Sequence, residues 1–381
     1  MMIYPRDDER AIRIQGMVSD WAASGLIDAE QRGRMMADLE VDYRRTNRFL
    51  RITLFLFGYL IINAFAGLFA ATLDLREGFG VVLIIAAVGA FVLAQWVIAH
   101  YRLYRFGIEE SIAFSAVSFA GLGCAIFLRG GFSSVRGFIA LAGAAFIVFA
   151  RFGYLYAGVA AVLFAGCIPL NFGYAYSDTL RRLLSIVILF LIFGLARERR
   201  KDHEWEFPGD LYGAIEATAW AALYVVTNLK ASQWLLVTMD DVAQFYWATY
   251  AGVWILPAVG LFLAIRDRHR WMLDANIVMA IVTLMTNKPY LNGVQKPWDP
   301  IVFGVLMIVI ALGLKRWLAS GADGSRGGFI ARRLLASERE RLGIASSATA
   351  LAPGAPQPHS HEPPPSFGGG RSGGAGTSGK F

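Results

Sequence analysis

Arg44-Arg45-Thr46-Asn47-Arg48-Phe49-Leu50-Arg51 runs directly into Ile52-Thr53-Leu54-Phe55-Leu56-Phe57-Gly58-Tyr59-Leu60-Ile61-Ile62-Asn63-Ala64-Phe65-Ala66-Gly67-Leu68-Phe69-Ala70-Ala71-Thr72-Leu73. The second stretch carries no charge over roughly 22 residues, about what a helix needs to cross ~30 Å of hydrocarbon. Arg44, Arg45, Arg48 and Arg51 crowd its leading edge. Because Lys and Arg are retained on the cytoplasmic side during insertion, this cluster sets the direction of the first crossing, and each later crossing inherits its sign.

Composition extends that reading to the whole chain. Of 381 residues 56% are hydrophobic and only 17% charged, with a mean hydropathy of +0.48, too apolar for ordinary soluble domains. The segments are apolar all round rather than alternating, so backbone hydrogen bonds must close within helices and a β-barrel is excluded. The expected fold is all-α, a polytopic transmembrane bundle of about ten spans over residues 52–318. A cytoplasmic helical hairpin (1–51) precedes it; a juxtamembrane basic segment (319–344) and a disordered Pro/Gly-rich tail (345–381) follow. The formal charge of +7 sits at helix ends, where it serves orientation and anionic headgroups, so nucleic acid is not an expected partner. Cys124 and Cys167 lie inside expected spans without metal spacing and read as small core residues. With residues 1–51 polar, the first span acts as the insertion signal.

In the hairpin, Asp7 to Ser24 places Ile14, Met17, Val18 and Trp21 on one helix face, a spacing of i, i+3, i+4 and i+7. Gly25 stops that helix. Asp28-Ala29-Glu30-Gln31 reads as a capping box that opens a second helix, carrying Met35, Met36 and Leu39 toward the membrane. The spacing then predicts spans near 79–101, 110–128, 135–150, 152–173, 180–196, 211–229, 243–265, 272–287 and 300–318. With the N-terminus in the cytoplasm, basic residues favour inside loops by about two to one, so both termini are expected there, in a bacterial inner membrane. The loop from Lys288 to Pro300, with its prolines and Trp298, predicts a rigid outer rim. Phe329 to Leu342 reads as a short basic helix on the inner leaflet. His359 and His361 in the tail are too few for a metal site.

Chemistry is sparser. No HExxH, GxSxG, Walker or dinucleotide motif occurs, so no catalytic residue, cofactor or metal is expected. An ionised carboxylate in hydrocarbon is expensive and tends to be paired or used. Glu110 and Glu216 stand in related contexts, Gly107-Ile108-Glu109-Glu110-Ser111-Ile112-Ala113-Phe114 and Gly213-Ala214-Ile215-Glu216-Ala217-Thr218-Ala219-Trp220, as a parallel internal repeat would produce. Asp274 enters its span from the same side. These three form the candidate binding cluster for a cation, a proton or a basic headgroup, with Gln95, His100 and Asn276 as neutral helpers. The competing reading has each carboxylate held by its helix dipole and a nearby arginine, without function.

The hairpin, Gly25-Leu26-Ile27-Asp28-Ala29-Glu30-Gln31, and the Gly-x-x-Glu start of the third span resemble a bacterial family of multi-pass inner-membrane proteins of unknown function. Its members open with a G-L-I-x-x-x-Q hairpin that leads directly into the first span. The likeness implies architecture and brings no activity with it. Three functional classes remain: a small-solute or lipid transporter-like bundle, a scaffold or sensor working through hairpin and tail, and a lipid-modifying enzyme. Expected partners are membrane lipids, and through the hairpin a second copy or another protein.

Overall fold

The computed structural model describes residues 3–72, 78–128, 134–172, 176–202, 211–235, 245–291, 293, 296, 298–321, 325–326 and 329–330. The helices are α1 (Arg6–Ala23), α2 (Ala29–Asp38), α3 (Arg48–Thr72), α4 (Phe79–Tyr101), α5 (Ile108–Phe127), α6 (Val135–Phe152) and α7 (Leu155–Leu170). They continue as α8 (Asp178–Asp202), α9 (Leu211–Thr227), α10 (Leu229–Leu235), α11 (Tyr246–Arg266), α12 (Arg270–Tyr290) and α13 (Asp299–Ala319). A two-residue antiparallel pair follows, β1 (Ser325–Arg326) with β2 (Phe329–Ile330).

Each of the ten segments drawn from the sequence falls on a helix. Among the described residues six helices are long and apolar enough to cross a membrane: Arg48–Phe69, Phe79–Tyr101, Ile108–Phe127, Val135–Phe152, Asp178–Lys201 and Tyr246–Arg266. They point to membrane insertion. α7 and α9, at 16 and 17 residues, are shorter apolar helices, and α12 and α13 have 21 each.

Burial sorts these helices into inner and outer. α5 packs against α3, α4 and α6, and α9 against α7, α8, α11 and α12. Each of these two is the centre of its half of the bundle. α3 shows the opposite extreme, leaving Phe57, Ile61 and Phe65 between 63% and 70% exposed. Such a surface is stable only where lipid replaces water. Close approach of α4 and α5 depends on small residues, since a Cβ at Gly123 would stand 3.0 Å from the Gly80 carbonyl oxygen.

The hairpin forms as its punctuation demands. Gly25 takes a φ of +74°, the left-handed conformation that favours glycine. Gln31 N donates to Asp28 Oδ1 at 2.7 Å while Asp28 N donates to Gln31 Oε1 at 3.1 Å, completing the capping box. α2 contains no buried residue and Met35 is 39% exposed; the Leu39 carbonyl accepts from the Gln15 side chain, and Val18 of α1 is buried.

The hairpin is tied to the bundle through backbone. Ile3 N donates to the Arg151 carbonyl at 2.8 Å, Arg44 N to that of Arg102 at 2.8 Å, and Tyr104 N to that of Arg44 at 3.1 Å. At the other end of α12, Lys288 Nζ lies 2.5 Å from Asp299 Oδ1 and both Lys288 and Lys296 stand over the Trp298 ring. The rim expected there is therefore a set of contacts between the ends of α12 and α13. Phe329 and Ile330 are strand rather than the start of a basic helix. The remainder of that helix, the tail from residue 345, His359 and His361 lie outside the described residues.

Candidate functional site

α8 ends in Arg197-Glu198-Arg199-Arg200, which puts Arg197 and Arg200 one turn apart on the face toward α9. Glu216, fully buried in the second turn of α9, receives both: Arg197 Nη1 donates to Oε1 at 3.1 Å and Arg200 Nε to Oε2 at 2.6 Å. Asp267, just past α11, takes the other edge of the same guanidiniums, from Arg197 Nη2 and, at 3.4 Å, from Arg200 Nη2. Two cations and two anions thus close on each other, the arrangement that makes buried charge tolerable. His269 Nδ1 lies 4.0 Å from Glu216 Oε2. Burial, with Arg200 adding to it, pulls the His269 imidazole down to about 4, so it is neutral at pH 7. For Asp267 burial pushes upward, but Arg266, Arg197 and Arg200 together hold it below the usual carboxylate range.

Glu110 has its own partner. Arg51, in the first turn of α3, donates through Nε to Oε2 at 2.7 Å and through Nη2 to Oε1. The bidentate fork suits a guanidinium and would not survive exchange to lysine. The glycine of each Gly-x-x-Glu has a job in this. Gly107 has a φ of +112° and packs against the Arg51 carbonyl, while a Cβ on Gly213 would meet His269 Nε2 at 2.5 Å. The resemblance between the two sequences ends there. Glu110 draws on the first turn of α3, Glu216 on the last turns of α8.

Asp274 is different again. Its side chain is 63% exposed and its partner is Arg270, Nε to Oδ2 at 4.0 Å. The three carboxylates are therefore held by three separate sets of arginines. Of the neutral helpers, Gln95 accepts from Arg151 Nε at 2.9 Å, His100 stacks on Trp96, and Asn276 accepts from Trp220 Nε1 at 3.1 Å.

That last bond opens a ladder between α9 and α12. Tyr224 Oη meets Thr283 Oγ1 at 2.8 Å, Asn228 Nδ2 donates to Thr286 Oγ1 at 3.0 Å, and Tyr290 Oη accepts from Leu229 N at 2.6 Å. Trp220, Tyr224 and Asn228 recur every fourth residue after Glu216, a signal that sequence reading could have used. Each rung satisfies its own polar atoms, as expected of interhelical glue in hydrocarbon.

Beside the ladder lies a cavity of about 610 Å³ between α7, α9 and α12. Leu163, Gly166, Ala217, Ala221, Val225 and Val278 are among the residues that make it apolar. Trp271 and Asp274 line it near the first turns of α12. So the most exposed of the three carboxylates stands at an oily groove, while the two buried ones are consumed by arginines.

No family model, curated protein or solved structure matches the chain.

Proposed function

We propose that this is a multi-pass membrane protein of the lipid transporter-like class, holding an acyl chain in the groove between α7, α9 and α12. The observation that carries the reading is the lining of the 610 Å³ cavity, hydrocarbon throughout except for Cys167, Thr218, Trp271 and Asp274. A chain of CH2 groups gains by replacing water there, while an indole and a carboxylate at the start of α12 suit the headgroup layer. A polar solute is less well served, because the polar side chains between α9 and α12 already bond one another.

The finer topology belongs to the same proposal: about ten crossings, an inner membrane, and both termini in the cytoplasm. Supporting it, the hairpin, the α4–α5 and α11–α12 turns and the basic end of α8 all belong to the positively charged set of loops. A scaffold or sensor reading retains one specific observation, that α2 has no buried residue. The lipid-modifying reading has none, since Glu216 and Glu110 are already bound to arginines.

The groove is tested by Ala221→Trp, which fills it with a ring. Native mass spectrometry of the purified protein should show bound phospholipid in the wild type and its loss in the variant, with unchanged thermal unfolding. Equal lipid occupancy in both would refute the groove as the binding site.

A further inference from the structure

Glu109 is the carboxylate that neither the arginines nor the groove accounts for. It is 0% exposed, its Oε1 accepts from Phe106 N at 2.6 Å, and its Oε2 has no hydrogen-bond partner among the described residues. Three phenolic oxygens share that condition: those of Tyr4, Tyr154 and Tyr156 are buried and unpartnered. Tyr4 is 4% and Tyr154 1% exposed. All three phenols feel the charge of Glu109, and the Tyr154 and Tyr156 rings stack with centroids 5.3 Å apart. The Tyr4 and Tyr154 hydroxyls approach one another without reaching hydrogen-bond geometry. Three buried hydroxyl donors therefore lie within electrostatic reach of a carboxylate oxygen, and none of them donates to it.

Something interposed would resolve this, and the donor set says what. All four orphaned atoms are oxygens, with no nitrogen or sulfur among them, which is the ligand chemistry of a hard cation. The charge count says how much. Arg51 faces the cluster and is neutralised by Glu110, so when Glu109 is ionised one negative charge is left for a cation to balance. Burial holds the phenol of Tyr4 above its ordinary range, which keeps it as a neutral oxygen ligand.

We infer that Glu109 Oε2 and the phenolic oxygens of Tyr4, Tyr154 and Tyr156 bind one alkali-metal cation. Tyr4 gives this site a second property. It belongs to the segment ahead of α1, fixed by the bond from Ile3 N to the Arg151 carbonyl and by edge-on packing against Tyr104 at 5.0 Å. The cation is thus shared between the bundle and the N-terminal hairpin, and its occupancy favours the docked hairpin.

The test uses the full chain in detergent, unfolded thermally in NaCl, KCl or N-methyl-D-glucamine chloride at constant ionic strength. A ligand that binds only the folded state raises Tm with its concentration, so Na+ or K+ should raise Tm saturably while the organic cation does not. Glu109→Gln should abolish that dependence, and Glu198→Gln, at an exposed carboxylate of α8, should retain it. Tyr4→Phe and Tyr154→Phe keep the rings and should move the midpoint of the cation titration by about fivefold, the equivalent of one hydrogen-bond-sized contact; they keep the proposal testable if Glu109→Gln does not fold. Hydrogen exchange over residues 3–43 should slow when the cation is added. Identical Tm in all three salts would mean that ordered water alone fills the site. A dependence on pH equal in all three salts would mean a protonated Glu109. Either result overturns the proposal.

Discussion

Glu216 shows why a buried carboxylate is poor evidence of activity. Its two arginines offset much of the cost of its burial, and Asp267 much of the cost of theirs. Deleting one member leaves charge uncompensated in a low-dielectric interior, so Glu216→Gln should cost about 3–5 kcal/mol of stability, read as a lowered Tm in detergent; no change would mean water reaches the cluster. His269 carries the pH dependence of the same network. Its folded value, about 4, lies below its ordinary 6.5, so between those limits the unfolded chain binds more protons than the folded one. Its contribution to stability is then complete above pH 6.5 and lost progressively as pH falls toward 4. His269→Gln should flatten that part of the stability profile, and an unchanged slope would show that another group titrates there. Glu110 and Glu216 were legible because a carboxylate inside an oily run stands out. Glu109 was not, since beside Glu110 at a helix start it reads as one more interfacial charge, and Tyr4 was not, because nothing local says that residue 4 reaches residue 154.

The helices were more legible than their ends. Segments drawn at 135–150, 180–196 and 272–287 stop at charges or before Pro289, whereas α6, α8 and α12 run on to Phe152, Asp202 and Tyr290. A long basic side chain can keep its stem in the apolar layer and its head in the polar one, so Arg151 and Arg197 do not end a helix. Pro289 lies in the last turn, where the one backbone hydrogen bond it forfeits leaves the preceding turns of α12 intact. What periodicity could not show is which helix occupies the centre, because in lipid the outer face is as apolar as the inner. The ladder between α9 and α12 marks that centre, and Gly260 of α11 is packed directly on its first rung, Trp220 Nε1 and Asn276 Oδ1. A methyl group at Gly260 has no room. Gly260→Ala should therefore push α11 away and cost about 1–3 kcal/mol, with a change in Trp220 fluorescence; wild-type stability and emission would show that α11 does not press on the rung.

Across the molecule, charge is sorted to one end of the bundle more clearly than any single loop shows. Arg102 pairs with Asp42 at 2.5 Å, the hairpin's Glu9 stands 4.0 Å from Arg105, and Arg197 reaches Asp267 across the bundle. These pairs join loops that the charge bias assigns to one side, hairpin to α4–α5 turn and α8 end to α11–α12 turn. An odd number of crossings between any two of them would break the pattern. Cysteine labelling distinguishes the cases, starting from a chain in which Cys124 and Cys167 are replaced by Ala. Gly33→Cys lies on exposed α2 and Gly78→Cys at the start of α4, both with open space around the new side chain. In intact cells a membrane-impermeant maleimide should label Gly78→Cys and leave Gly33→Cys untouched until lysis. The reverse pattern would place the hairpin outside, put the basic loops on the wrong face for anionic lipid, and remove the reason for assigning Asp274 and Trp271 to the inner headgroup layer.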